Sequence, residues 1–212
     1  LGSDALVVSV FGDGAINQGC FHEVANMAAL WDVPVIYLVE NNLYAVGTNT
    51  EESSCLGDLA QRSLGYGIDS LIVDGMDPVA MFLAMRHVVN QMRQDPHPFF
   101  IEAKTYRFFH RAGRIAGSAF GYREKQEEDE WLAKDPVNSL PTQMLAAGLL
   151  TDAQNEAIRE RAQAAVNHAL DYTTAVENGK RVIPSSKWPA ASTVLDNVRG
   201  PNPEVNDAPV PA

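Results

Sequence analysis

The chain has 212 residues, ordinary globular composition, and 27 acidic against 16 basic side chains, for a net charge of −11 and a pI near 4.8. That length predicts one domain with a sizeable core, and the acidic balance excludes nucleic acid and anionic membrane surfaces as partners. No apolar run reaches the roughly 18 residues of a membrane span, and no signal peptide is visible.

Ala5–Phe11 is short, apolar and β-branched, which predicts a strand buried on both faces of a parallel sheet. It ends in Gly12-Asp13-Gly14. A helix is expected from about Asn17 to Trp31, with Phe21, Val24, Ala25, Ala28 and Leu30 at helical spacing. Val33–Val39 is a second buried strand, followed by Asn41-Asn42 and a polar loop to Glu52. Ser54–Tyr66 reads as a short helix and Asp69–Val73 as a strand. Asp77-Pro78 starts a helix that runs to about Gln94, with Asp as N-cap and Pro at the first helical position. Pro98–Tyr106 is the next strand. Strands alternating with helices predict an α/β fold, a parallel sheet with helices on both faces.

His110–Tyr122 carries three glycines and no apolar period, so it reads as a surface loop. Glu124–Leu132 is a charged helix start, Asp135-Pro136 a break, and Pro141–Leu150 a short helix. Thr151 and Gln154 have the spacing of a capping box, with a helix to about Ala175 behind them. From Asn178 onward Pro, Ser, Asn and Gly predict an extended or disordered tail. The expected organisation is therefore an α/β domain over 1–135, helices packed on it over 136–177, and a tail over 178–212. Cys20 and Cys55 form no CxxC pair and read as reduced thiols in a cytosol of bacterial type. A core strand beginning almost at Leu1, without an initiator methionine, suggests a fragment lacking its N-terminal part.

The chemistry concentrates after the first two strands. Gly12 and Gly14 allow a sharp turn and close approach of a ligand. A strand running through glycines into a helix start favours phosphate. A bare Asp13 carboxylate would repel phosphate unless a hard cation lies between them, so Asp13 reads as an Mg²⁺ ligand. The helix carries the chain about 21 Å down and the strand about 23 Å back. A right-handed crossover then brings Asn41-Asn42 to the edge that holds Asp13. The side-chain oxygen of Asn42 and a backbone carbonyl just after it can complete the coordination. Separately, Asp13 could be a helix cap and Asn41-Asn42 a plain turn; together, in one βαβ frame, they favour one metal–diphosphate site.

Gly-Asp-Gly, 26 residues, then Asn-Asn is the thiamine diphosphate motif. The wording GDGAINQGCFHEVANMAALWDVPVIYLVENNLYAVGT resembles the alpha subunit of the decarboxylating first component of 2-oxo acid dehydrogenase complexes, of pyruvate, branched-chain or acetoin type. The resemblance runs from about Ala5 to about Ala175. It implies a thiamine diphosphate-binding fold with a C-terminal helical extension. It implies Mg²⁺ on Asp13, Asn42 and the backbone carbonyl of Tyr44, with the diphosphate on the backbone of Gly14 and Ala15. It also implies a beta subunit in an α₂β₂ heterotetramer that brings the glutamate for the cofactor's aminopyrimidine. Oxidative decarboxylation of a small 2-oxo acid, or cleavage of acetoin, would pass the acyl group to a lipoyl-bearing acyltransferase. The alternatives are another thiamine diphosphate enzyme, transketolase-like or a non-oxidative decarboxylase, or a non-catalytic cofactor-binding or assembly subunit.

His110 follows the fourth strand into the glycine-containing loop. It either bonds phosphate or shuttles a proton, or is a solvated loop residue. Relatives carry one or two histidines here, and the second falls on Arg111 in this chain. Either His110 takes that role or Arg111 grips the diphosphate, as a poor proton shuttle. Ala112 stands where some relatives carry a regulatory phosphoserine. His22 reads as a helix-surface or interface residue.

Overall fold

The computed structural model describes residues 4–190 and Thr193. Strand β1 (Val7–Gly12) passes through a 3-10 turn, Asp13–Asn17, into α1 (Gly19–Leu30) and then β2 (Val35–Asn41). A two-stranded turn follows, β3 (Tyr44–Ala45) against β4 (Thr48–Asn49), with the one-turn helix α2 (Thr50–Ser53) behind it. A 3-10 segment, Leu59–Tyr66, leads to β5 (Asp69–Asp74), α3 (Pro78–Gln94) and β6 (Phe99–Lys104).

The four long strands form one parallel sheet in the order β1-β2-β6-β5. The chain crosses the sheet one way from β1 to β2 to β5, then steps back from β5 to β6. Right-handed crossovers put outgoing and returning connections on opposite faces, and the core shows that arrangement. Val35, Tyr37, Val39 and Phe100 pack with Phe21, Ala25 and Ala28 of α1 and with Leu59 and Ala60. Ile36, Phe99 and Ile101 point the other way, against Val88 and Met92 of α3. The α/β expectation of a parallel sheet covered on both faces therefore holds, and all four strands end on one edge.

One expectation about β1 fails. It is an edge strand, with Val7 60% and Val10 54% exposed, and not a strand buried on both faces. An apolar, β-branched run fixes the strand but not its place in the sheet. Among the described residues no strand pairs with its outer edge.

The chain divides into two compact units, one through Leu149 and one from Leu150. The first continues after β6 with the loop that precedes α4 (Lys125–Leu132) and α5 (Pro136–Ala146). The break expected at Asp135-Pro136 falls there, between α4 and α5, but the next helix starts at Pro136 rather than at Pro141: the Asp135 side chain accepts the Val137 N–H at 3.0 Å, and Pro136 opens α5. In the second unit, α6 (Asp152–Thr173) begins at the expected Thr151/Gln154 capping box. A hairpin follows, β7 (Ala175–Glu177) with β8 (Lys180–Val182). It turns on Asn178-Gly179, with φ of 51° and 74°, the left-handed pair that closes a two-residue hairpin. Most of the expected tail beyond Ala190 lies outside the described residues. No described helix is long and apolar enough to cross a membrane.

Candidate functional site

Because β1 and β2 are paired in register, Gly12 lies beside Glu40. The turns that leave the two strands therefore start from neighbouring points on one edge. Asp13 opens the 3-10 turn and is only 4% exposed. The long helix starts six residues later, at Gly19, because Gln18 is extended and interrupts it (φ −78°, ψ 140°). The Gly-Asp-Gly segment is thus a separate turn packed under the β3–β4 loop, and not the first turn of α1. A Cβ on Gly14 would lie 2.7 Å from the Cβ of Ala45, so only glycine permits that approach.

Burial pushes the Asp13 carboxyl above the ordinary aspartate range. Its own backbone N–H, that of Asn42, the Thr50 hydroxyl and the charge of Arg107 pull the other way without cancelling it. A buried carboxylate with no ion-pair partner among the described residues asks for a cation. The neighbouring donors are oxygens. The Asn42 side-chain oxygen accepts the Tyr44 N–H at 3.3 Å, which folds it over the turn. Among the described residues no three His, Cys, Asp or Glu side chains cluster as a metal site. The set here is instead one carboxylate, one amide oxygen and backbone carbonyls. Such a hard, incomplete set suits Mg²⁺ with phosphate oxygens completing the shell, so the residues present fit the metal that the motif implies.

The loop that carries these groups is strained and held. Leu43 (φ 72°) and Val46 (φ 62°) are left-handed, which costs a residue with a Cβ about 1–2 kcal/mol. Leu43 is pinned on both sides: its N–H donates to the Asn41 side-chain oxygen at 3.2 Å, and its carbonyl accepts the Thr50 N–H at 2.9 Å. The Thr50 hydroxyl lies 3.5 Å from both Asp13 Oδ2 and Asn41 Oδ1. Asn41 Nδ2 donates at 2.8 Å to Glu102, which is completely buried. The Tyr44 hydroxyl donates to Glu127 at 2.8 Å, and burial followed by that carboxylate pushes it up to about 12. Beside this loop opens a cleft of about 490 Å³ lined by Tyr44, Thr50, Glu51, Lys104 and Glu127 among others.

The segment after β6 approaches from the side. Arg107 donates to the Val46 carbonyl at 3.1 Å, and its Nε is buried without a protein partner. The loop behind it is not loose. Phe109 bridges Ala116, and the His110 N–H donates to the Ile115 carbonyl at 2.7 Å. The His110 ring packs on Phe120 with centroids 4.3 Å apart, and its Nδ1 accepts the Ala112 N–H at 3.2 Å. That bond leaves Nε2 as the protonated nitrogen of the neutral ring. Arg111 is exposed. His22, expected on the helix surface, is half-buried and bonds through Nδ1 to the Tyr66 hydroxyl.

Asp13, Gly14 and Asn42, expected from the sequence, therefore come together at the strand ends, with Ala15 and Tyr44 on the same turns. Thr50, Glu102 and Arg107 join them and were not anticipated. A glutamate inside the otherwise apolar run Phe99-Phe100-Ile101-Glu102-Ala103 is a readable signal. Arg107 carried none, since one arginine after a strand is unremarkable by itself.

A family model described as dehydrogenase E1 component matches residues 1–180. The pyruvate dehydrogenase E1 component subunit alpha of Rickettsia conorii is 33% identical over 162 residues, covering 76% of this chain and 49% of that protein. Its counterpart from Rhizobium meliloti is 36% identical over 172 residues, or 81% and 49%. The chain thus spans about half the length of these curated relatives. A solved structure from Mycobacterium smegmatis, described as that of a thiamin diphosphate-dependent enzyme, matches half of this chain and 19% of its own. The TM-score is 0.40 and the identity 17%.

Proposed function

The chain belongs to the dehydrogenase E1 component family, and from that premise we propose that it is the alpha-type subunit of a thiamine diphosphate- and Mg²⁺-dependent 2-oxo acid dehydrogenase. The observation that carries the reading is Asp13, a buried carboxylate with no ion-pair partner among the described residues, held at one sheet edge with Asn42 and the Tyr44 turn. Asp13, the Asn42 amide oxygen and the Tyr44 carbonyl would hold Mg²⁺. The backbone of Gly14 and Ala15 would meet the diphosphate. When bound, thiamine diphosphate supplies the carbanion chemistry that cleaves the bond beside the oxo carbon.

This chain's own residues bind and orient. Asp13 neutralises the metal, and the metal lets phosphate approach a site that would otherwise repel it. Arg107, with a buried and unpaired Nε beside Asp13, is better placed for a diphosphate oxygen than the exposed Arg111. Within the loop, the proton on His110 Nε2 is the one available to a reacting group, since Nδ1 is occupied. The remaining parts of the reading are a beta subunit in an α₂β₂ assembly that completes the site, a cytosolic setting, and a lipoyl-bearing acyltransferase as acceptor of the acyl group. The substrate class is a small 2-oxo acid, pyruvate by the relatives' names, with acetoin as the variant. A cofactor-binding subunit without turnover is the competing reading.

The test is calorimetric titration of thiamine diphosphate, with and without Mg²⁺, into the full-length chain mixed with its beta subunit. Mg²⁺-dependent binding is expected, and Asp13→Ala should abolish it while far-ultraviolet circular dichroism stays unchanged. Unaltered affinity in that variant would refute the metal assignment. Turnover of a 2-oxo acid with a lipoyl acceptor would separate the enzyme from the non-catalytic subunit.

A further inference from the structure

Glu102 is the one fully buried carboxylate among the described residues, and it lies outside the proposed ligand set. It sits on β6 two register positions from the end of the strand, beside β2. Its two oxygens collect three donors from three segments: Asn41 Nδ2 at 2.8 Å from the end of β2, the Ala60 N–H at 2.8 Å from the 3-10 segment, and Lys104 Nζ at 3.1 Å. Lys104 is shared with Asp58 at 2.7 Å. A buried ion pair is a poor source of net stability. Its value here lies in what an acceptor-only group imposes on its neighbours.

An asparagine amide can present either its oxygen or its nitrogen to a neighbour. Glu102 accepts and cannot donate, so it takes the Asn41 NH₂ and turns Oδ1 the other way. Oδ1 then meets the Leu43 N–H at 3.2 Å and the Thr50 hydroxyl at 3.5 Å. The first contact holds Leu43 in its left-handed conformation. The second reaches the group that also lies 3.5 Å from Asp13 Oδ2. The orientation of one amide therefore sets both the turn between Asn42 and Tyr44 and the hydroxyl beside Asp13.

We propose that Glu102 and Asn41 form a positioning pair for the metal loop: the buried carboxylate fixes the amide, and the amide fixes Leu43 and Thr50 around the cation site. This rests on the reading of Asp13, Asn42 and Tyr44 as the Mg²⁺ site. It gives the two asparagines of the motif different duties, with Asn42 facing the metal and Asn41 facing away from it, into the protein.

The pair has a reciprocal test. Glu102→Gln leaves a single acceptor oxygen for three donors, the Ala60 N–H, the Asn41 amide and the Lys104 ammonium, which can fall back on Asp58. If that oxygen stays on Ala60, the new NH₂ faces Asn41 and forces its amide to flip. Nδ2 then opposes the Leu43 N–H, donor against donor. Combining Glu102→Gln with Asn41→Asp exchanges amide and carboxylate. The new NH₂ donates to the new carboxylate, whose second oxygen accepts from Leu43 and Thr50, and the total charge is unchanged. Lys104 keeps Asp58 as its partner.

The readout is Mg²⁺ affinity, by calorimetric titration at saturating thiamine diphosphate in the full-length chain with its beta subunit, alongside the melting temperature of each protein. Partners that orient metal ligands change metal affinity roughly 10–100-fold. We expect a loss in that range for Glu102→Gln and recovery of at least ten-fold in the exchanged double variant. Equal Mg²⁺ affinity in Glu102→Gln and the parent would overturn the proposal. So would a double variant that binds or folds no better than the single one, because a purely structural carboxylate gives no reason for rescue. A parent protein that binds no Mg²⁺ would instead overturn the metal reading itself.

Discussion

Two connections leave neighbouring strands at the same sheet edge, and they are anchored in opposite ways. The turn after β2, residues 42–50, hangs on a buried carboxylate. Glu102 gathers N–H donors, and through Asn41 every polar group in its chain to Asp13 finds a partner. The loop after β6, residues 105–123, hangs on a buried guanidinium. Arg123 is 4% exposed and donates to the Arg107 carbonyl. It also lies over the rings of Tyr44, Tyr106 and Tyr122 at 4.4, 4.6 and 5.3 Å. The buried polar atoms without partners concentrate here: Tyr106 and Tyr122 hydroxyls, Arg107 Nε, two Arg123 nitrogens and one Glu127 oxygen. Buried groups normally find partners. The donors that shape the β2 turn are therefore satisfied within the protein, whereas the β6 loop keeps donors in reserve for water or a ligand. A carboxylate specifies geometry by accepting; an arginine on ring faces specifies position but leaves hydrogen-bond capacity open.

The largest expected effect comes from removing the second anchor. Arg123→Met should cost about 3 kcal/mol, because the bond to the Arg107 carbonyl and three cation–ring contacts would go. Urea unfolding checks this. A loss below about 1 kcal/mol would mean that ring packing alone holds the loop. Smaller effects separate the two connections. A Cβ on Gly117 would meet Arg123 Cδ at 2.6 Å, and one on Gly14 would meet Ala45 at 2.7 Å. Each glycine-to-alanine change should cost about 1–3 kcal/mol by overpacking. Amide exchange should then rise in residues 108–122 for Gly117→Ala and in residues 42–50 for Gly14→Ala. Exchange that spreads through both loops in either variant would show one cooperative edge instead of two.

The sequence made the first connection legible because its chemistry is local. Gly-Asp-Gly and Asn41-Asn42 lie at strand ends that hydrophobic runs mark out, and crossover handedness then brings them together. The second connection was opaque because its anchors act over distance. Arg123 lies 16 residues from the carbonyl it holds, and no periodicity announces such a contact. Some misreadings were avoidable. Asp135-Pro136 repeats the signal that correctly started α3 at Asp77-Pro78, and Asn178-Gly179 is a strong hairpin signal. The place of β1 was not readable. An apolar strand looks the same at an edge or in the middle, because what covers it is decided by other segments.

The smallest effect turns on pH and has opposite signs in the two connections. Glu128 accepts the Ser118 N–H at 2.8 Å and its hydroxyl at 2.6 Å, latching the β6 loop to α4. Burial pushes its pKa up, but the Ser118 hydroxyl and N–H, with Lys125 and Arg123, outweigh that and hold it below the usual glutamate range. An acid with a depressed folded pKa gives stability that is complete above its unfolded value of about 4.3 and lost as pH falls through the folded value. Protection factors in residues 115–122 should therefore be flat from about pH 7 to pH 5 and decline below about pH 4. Asp13 behaves in the reverse sense: burial raises its pKa, so its ionised form costs stability that acid relieves. Without metal, the 42–50 turn should keep its protection over the pH range in which the β6 loop loses it. In Glu128→Gln the acid-dependent fall should disappear, since the amide oxygen can still accept one Ser118 bond and does not titrate. A decline that persists unchanged in that variant would assign the pH sensitivity to another carboxylate and leave the latch without a role.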